Sequence, residues 1–167
     1  WRNDGAVSLD KQYADYPCVN LLDSTSVTVE PTGQGSFAVC RAVRVQTTAG
    51  ALQQRILKYD YDPLTAAATF KRVTIYHADG TYTSVDVTKA CDYAAPARAI
   101  YWGARQIMLE LGALQPGDII DYEIDKKGFT YALLSDAPQS GDDSRFIPPM
   151  RGQFYDIVPF WSADPTL

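Results

Sequence analysis

The amino-acid sequence predicts an all-β fold, mainly antiparallel, built as a β-sandwich of about ten short strands with at most one or two short helical turns. Three observations predict it. The stretch Leu111 to Gly128 (LGALQPGDIIDYEIDKKG) couples a Pro-Gly turn to a strand. Pro116 presets φ for the second position of a tight turn, and Gly117 can take the positive φ that a type II turn needs next. Ile120, Tyr122 and Ile124 then alternate with Asp121, Glu123 and Asp125, the period of two that marks a half-buried strand. The second observation is Asp79-Gly80 between two β-branched and aromatic runs, a strong hairpin signal. The third is the frequency of turns together with 11 Tyr and 3 Trp, residues that pack well on pleated surfaces.

Taken in order, Ala6 to Leu9 reads as a first edge strand and Val19 to Glu30 as a second, with Val27 and Val29 alternating against Thr28 and Glu30. Pro31 to Ser36 is a loop by its Gly and Pro content. Phe37 to Thr48 places Phe37, Val39, Val43 and Val45 on one face. Arg41 interrupts that face, which puts it near a strand end, on an edge, or in a pair. Ala49-Gly50 is expected to turn the chain into a strand over Leu52 to Tyr59. Asp62 to Ala68 is expected to form one helical turn, since Pro suits the first helical position and Ala propagates best. Val73 to Tyr76 and Tyr82 to Val87 form the hairpin around His77 to Thr81. Ile100 to Leu114 fits both a helical and a strand period; the Pro-Gly turn after it favours a strand paired in a second hairpin with Ile119 to Lys126. Lys127-Gly128 signals a turn, and Phe129 to Leu134 one more strand. Asp136 to Arg145 is a polar loop, and Phe154 to Pro159 a final edge strand.

The totals bound the function. A chain of 167 residues reads as a single domain over 1–167, large enough to bury roughly 70% of its unfolded surface without a metal or disulfide. A net charge of −5 argues against a nucleic-acid partner, whose phosphates call for a basic face. No apolar run reaches the ~20 residues of a membrane-spanning helix. Cys18, Cys40 and Cys91 contain no C-x-x-C pair and only one His exists to join them, so neither a structural zinc site nor any cofactor is expected. The sequence opens on Trp1 rather than Met, as it would after removal of a targeting peptide or after trimming, so the lack of a signal segment carries little weight.

Three constellations carry candidate chemistry. Cys40, His77 and Asp92 supply the residue types of a thiolate, imidazole and carboxylate triad. Cys40 lies in an alternating strand, without the helix N-terminus or cation that activates a thiolate, so an inert core thiol is the expected reading. His77 begins a turn and is expected to be solvated. Asp121, Glu123 and Asp125, with Asp142-Asp143 in a loop, lack any recognisable calcium spacing and read as the solvated face of a sheet. Among the aromatics Tyr93, Tyr101, Trp102, Phe160 and Trp161, the binding candidates are Trp102, Phe160 and Trp161, because Trp and Tyr offer large rigid contact area to a glycan or peptide. No catalytic or metal-binding residue is assigned.

The order of several segments resembles a known family. These are Phe37 to Val45, Ile56-Leu57-Lys58-Tyr59-Asp60, Ile75-Tyr76-His77-Ala78-Asp79-Gly80-Thr81, the Leu-x-Pro-Gly-Asp-Ile-Ile-x-Tyr run from Leu114, and Phe154 to Pro159. Together, over roughly residues 6–159, they resemble a domain of unknown function that precedes transglutaminase-like modules in bacterial, mostly secreted proteins. The resemblance implies an accessory β-sandwich that is not itself an enzyme, in a periplasmic or cell-surface protein. Its partner is then the neighbouring transglutaminase-like domain or another protein, and catalysis resides in a module beyond Leu167. A stand-alone module binding a glycan or peptide is the alternative.

Overall fold

The computed structural model describes residues 13–30, 34–95, 103–129 and 164–166. Eight strands among them form two antiparallel sheets. The larger takes β1 (Cys18–Val29), β2 (Gln34–Val45), β4 (Ala66–Tyr76), β5 (Tyr82–Ser84) and β8 (Ile119–Phe129) in the order β1-β2-β8-β4-β5. The smaller takes β3 (Ile56–Tyr61), β6 (Cys91–Ala94) and β7 (Arg105–Glu110) in the order β3-β7-β6. The antiparallel all-β class read from the sequence is therefore the one observed.

The core lies between the sheets. Val39 and Val43 of β2, Ile120 and Ile124 of β8, and Phe70, Val73 and Ile75 of β4 line the larger sheet; Leu57, Ile107 and Leu109 close over them from the smaller. The strand with the clearest alternation in the sequence, β8, is the central one, paired with β2 on one side and β4 on the other. Ile120 and Ile124 are fully buried. At about 25 cal/mol for each Å² of apolar surface removed from water, such a side chain contributes about 1.5–3 kcal/mol. Arg41, the residue that broke the apolar face of β2, is paired: its Nε lies 3.3 Å from Asp23 Oδ1 on β1. Burial pulls its pKa down, and Tyr122 and Asp23 more than restore it.

Several local expectations give way. Thr48–Gln53 is a short helix, α1, not a turn into a strand. Thr47 caps it, accepting from the Gly50 amide at 3.1 Å, which satisfies one of the orphan N–H groups of the first turn. Gly50 allows that helix to sit on the entry to β1, since a Cβ there would lie 2.0 Å from the Pro17 carbonyl oxygen. Asp62 to Thr65 is a turn held by the Asp62 carboxylate, which accepts from the Leu64 amide at 2.9 Å; Ala66 to Ala68 then belong to β4 rather than to a helix. A β-bulge between Phe70 and Arg72 inserts Lys71 as an extra residue. Phe70 and Val73 thus both face the core while Lys71 and Arg72 both face outward.

Lys127-Gly128 does not end β8, which pairs on through Phe129. Gly128 is needed there by close approach: a Cβ would stand 2.6 Å from the Thr65 carbonyl oxygen. The strand expected over Ile100 to Leu114 exists as β7, but it forms no hairpin with β8. The Pro-Gly turn instead carries the chain from the smaller sheet to the larger. The expected strands at Ala6–Leu9 and Phe154–Pro159 and the loop at Asp136–Arg145 lie outside the described residues. No described helix is long and apolar enough to cross a membrane.

Candidate functional site

The residues expected to bind a glycan or peptide, Trp102, Phe160 and Trp161, lie outside the described residues, as does Tyr101. The three triad types, Cys40, His77 and Asp92, are all among the described residues and are kept apart. Cys40 stands on β2 opposite Ser24 and Glu123. Asp92 stands on β6 of the other sheet, where both its oxygens accept from Arg105 Nε at 3.0 Å and one accepts from the Tyr61 hydroxyl at 2.8 Å. His77 ends elsewhere again. The acids of β8 face outward as read, and they are paired rather than merely solvated: Asp121 with Arg72 at 2.9 Å and Glu123 with Lys71 at 2.7 Å.

The constellation that does form joins the two turn motifs of the sequence. Gln115 to Asp118 is a type II turn, closed by the Asp118 amide on the Gln115 carbonyl at 3.1 Å with Gly117 at φ +96°. The Gly117 amide donates to the Val45 carbonyl at 2.8 Å, and the Val45 amide donates to the Asp118 carbonyl at 2.9 Å, so the turn is pinned to the end of β2. This leaves the Asp118 side chain only 3% exposed. A carboxylate so enclosed requires hydrogen-bond donors. One is the Gln115 amide, 2.8 Å from Oδ2; the other is His77 Nδ1, 3.0 Å from Oδ1.

His77 comes from the Asp-Gly hairpin. Its amide donates to the Thr81 carbonyl at 2.9 Å, its carbonyl accepts from the Gly80 amide at 3.0 Å, and Gly80 takes φ +90°, the left-handed residue that closes a three-residue hairpin loop. The imidazole is held at its far side too, with Nε2 2.9 Å from the Thr83 hydroxyl on β5. The expectation of a solvated His77 is thus corrected: both ring nitrogens are bonded, and the side chain is 30% exposed. An ionised carboxylate only accepts, so Nδ1 carries the proton and Nε2 accepts from Thr83 in the neutral ring. A Cβ on Gly117 would lie 3.2 Å from the Ala78 Cβ, which shows how closely turn and hairpin pack.

Hydroxyl, imidazole and carboxylate in a line is the arrangement that activates a nucleophile. The same line is a brace between two turns, and here each of its bonds begins and ends within the fold. Sequence reasoning missed Asp118 as a partner because Pro-Gly-Asp announces a turn by itself. The available signal was an Asp directly after Pro-Gly, placed to fold its side chain back on the turn's own amide.

Residues 31–167 match a family described as a domain of unknown function with a solved structure, DUF3857. The chain belongs to this family. The DUF3857 region includes both His77 and Asp118, so the resemblance read from the two turn motifs holds at the level of a domain of unknown function. No curated protein matches the chain. Among solved structures, the fold is similar to part of a protein from Parabacteroides distasonis described as a "putative protease", with a TM-score of 0.55 and 15% sequence identity. The likeness covers 67% of this chain and 23% of that one. At that identity it speaks for the shared fold alone.

Proposed function

We infer that this chain is a non-catalytic accessory and interaction domain of an exported, transglutaminase-like protein, acting at the bacterial periplasm or cell surface beside a separate catalytic module. The observation that carries the reading is the solved structure of similar fold: the shared part accounts for 23% of a much longer protein described as a "putative protease". A domain that recurs as a minor part of a larger chain fits a role in positioning or shielding the module that does the chemistry. The dispersal of Cys40, His77 and Asp92 over two sheets and separate partners supports the same reading.

The test begins with the reading frame beyond Leu167. Where a Cys-His-Asp module follows, the joined protein and the separated module are compared for peptidase and acyl-transfer turnover, with hydrogen exchange on the joined protein. The reading expects no turnover from this chain alone and new amide protection on its surface in the joined form. Turnover by this chain alone, abolished by Cys40→Ser or His77→Ala, would overturn it. A stop codon close after Leu167 together with a hit on a glycan or peptide array would favour the stand-alone binding module instead.

A further inference from the structure

We propose that Asp79-Gly80 is a latent isoaspartate site, which Thr81 holds in check by capturing the Asp79 carboxylate. Isoaspartate forms when the amide nitrogen of the residue after Asp attacks the side-chain Cγ. The new N–Cγ bond closes a succinimide, the amide proton is lost, and the side-chain oxygen departs as water. Water then adds to either ring carbonyl, giving Asp again or isoaspartate; the net change is an isomerisation and needs no oxidant. Glycine at the second position removes the steric barrier, and both residues of the pair are exposed here.

The folded hairpin blocks each partner of that attack. The Gly80 nitrogen is engaged, donating to the His77 carbonyl at 3.0 Å. The carboxylate is clamped, Oδ1 accepting from the Thr81 amide at 2.8 Å and the Thr81 hydroxyl at 2.7 Å. Those bonds hold the Asp79 pKa below its ordinary value, the hydroxyl first and the amide second. Water leaves only from a protonated carboxyl, so the clamp withholds the reactive form as well as the reactive geometry. The position matters because isoaspartate inserts a methylene into the backbone. That would shift Thr81 to Thr83 relative to His77 and pull the Thr83 hydroxyl off the imidazole.

Folded wild-type protein, the same protein in denaturing urea, and the folded variants Thr81→Val and Thr81→Ser are held at neutral pH, and isoaspartate at residue 79 is measured by peptide mass spectrometry. Folded wild type is expected to isomerise several-fold more slowly than the urea-unfolded chain, since the fold both engages the Gly80 nitrogen and holds the Asp79 carboxylate in its ionised form. Thr81→Ser, which keeps the hydroxyl, should match wild type. Thr81→Val, which keeps the β-branch and loses the hydroxyl, should move several-fold toward the unfolded rate. Protection of the His77 amide from exchange in both variants ties the difference to the hydroxyl. Equal rates for folded and unfolded wild type, or for the two variants, overturn the proposal.

Discussion

Removing the Asp118 carboxylate should unfasten the brace between the two turns, and the structure sets the size of the effect. Asp118→Ala leaves two donors without partners, the Gln115 amide and His77 Nδ1. Hydrogen bonds to a charged acceptor are worth about 1.5–3 kcal/mol each. The imidazole is 30% exposed and recovers part of its share from water, so the net loss is about 3 kcal/mol. Against a total of about 5–15 kcal/mol that is a large fraction, and at this chain length it lowers Tm by about 6–12 °C. Asp118→Asn provides a sharper arm. Its amide oxygen can still accept from Gln115, but its NH2 then faces Nδ1, which has to become the acceptor. The ring proton moves to Nε2 and is donated to the Thr83 hydroxyl, which accepts as readily as it donates. Every bond is remade without the charge, at a cost of about 1 kcal/mol. The chain has one His, so nitrogen NMR reports this tautomer without assignment ambiguity. Wild type should carry its proton on Nδ1 and Asp118→Asn on Nε2. An Nε2-protonated wild type, or an Asp118→Ala variant as stable as wild type, refutes the reasoning.

Three further outcomes are expected. Burial, with a smaller contribution from the Asp164 charge and opposed by a Gln54 hydrogen bond, pushes the Cys18 thiol from 9.0 up to about 11. The folded state therefore holds that proton more tightly, the stabilisation is complete below pH 9, and it is lost as pH rises toward 11 by about 2 kcal/mol, measurable by urea denaturation against a Cys18→Ala reference. Gly128→Ala sets a Cβ against backbone, 2.6 Å from the Thr65 oxygen, and should cost about 2–3 kcal/mol in the same assay. Deleting Lys71 removes the bulge while leaving Phe70 and Val73 facing inward, so that variant should fold with Tm within a few degrees of wild type. Deleting Thr74 makes Val73 and Ile75 consecutive, forces one out of the core, and should cost about 1.5–3 kcal/mol or more.

What the sequence disclosed and what it hid follow from the range of the interactions involved. The alternation of Ile120, Tyr122 and Ile124, the type II turn at Pro116-Gly117 and the hairpin at Asp79-Gly80 are local, fixed by neighbours two or three residues away, and each was readable. The start of β4 was not, because Lys71 breaks the period of two on which strand recognition rests; the three-residue spacing of Phe70 and Val73 was the trace it left. The helix Thr48–Gln53 was hidden behind Ala49-Gly50, whose glycine serves contact with Pro17 rather than a turn, although Thr47 already offered a cap. The crossing from β7 to the other sheet and the pairing of His77 with Asp118, 41 residues away, depend on tertiary placement. No periodicity encodes them.

The place of β8 bears on the order in which this molecule can come into being. A ribosome emits β1 and β2 as one hairpin, and β4 and β5 as another, before Ile119 to Phe129 exist to stand between them. Until then, the inner edges of β2 and β4 each present an unpaired row of amides and carbonyls, the template on which nascent chains pair wrongly. The wait ends late, since the keystone of the sheet is the last strand described. A chain interrupted before Asp118 would thus hold these two ribbons unjoined beside the smaller sheet, and its exposure to chaperones should fall sharply once residues 119–129 are present to pair with both.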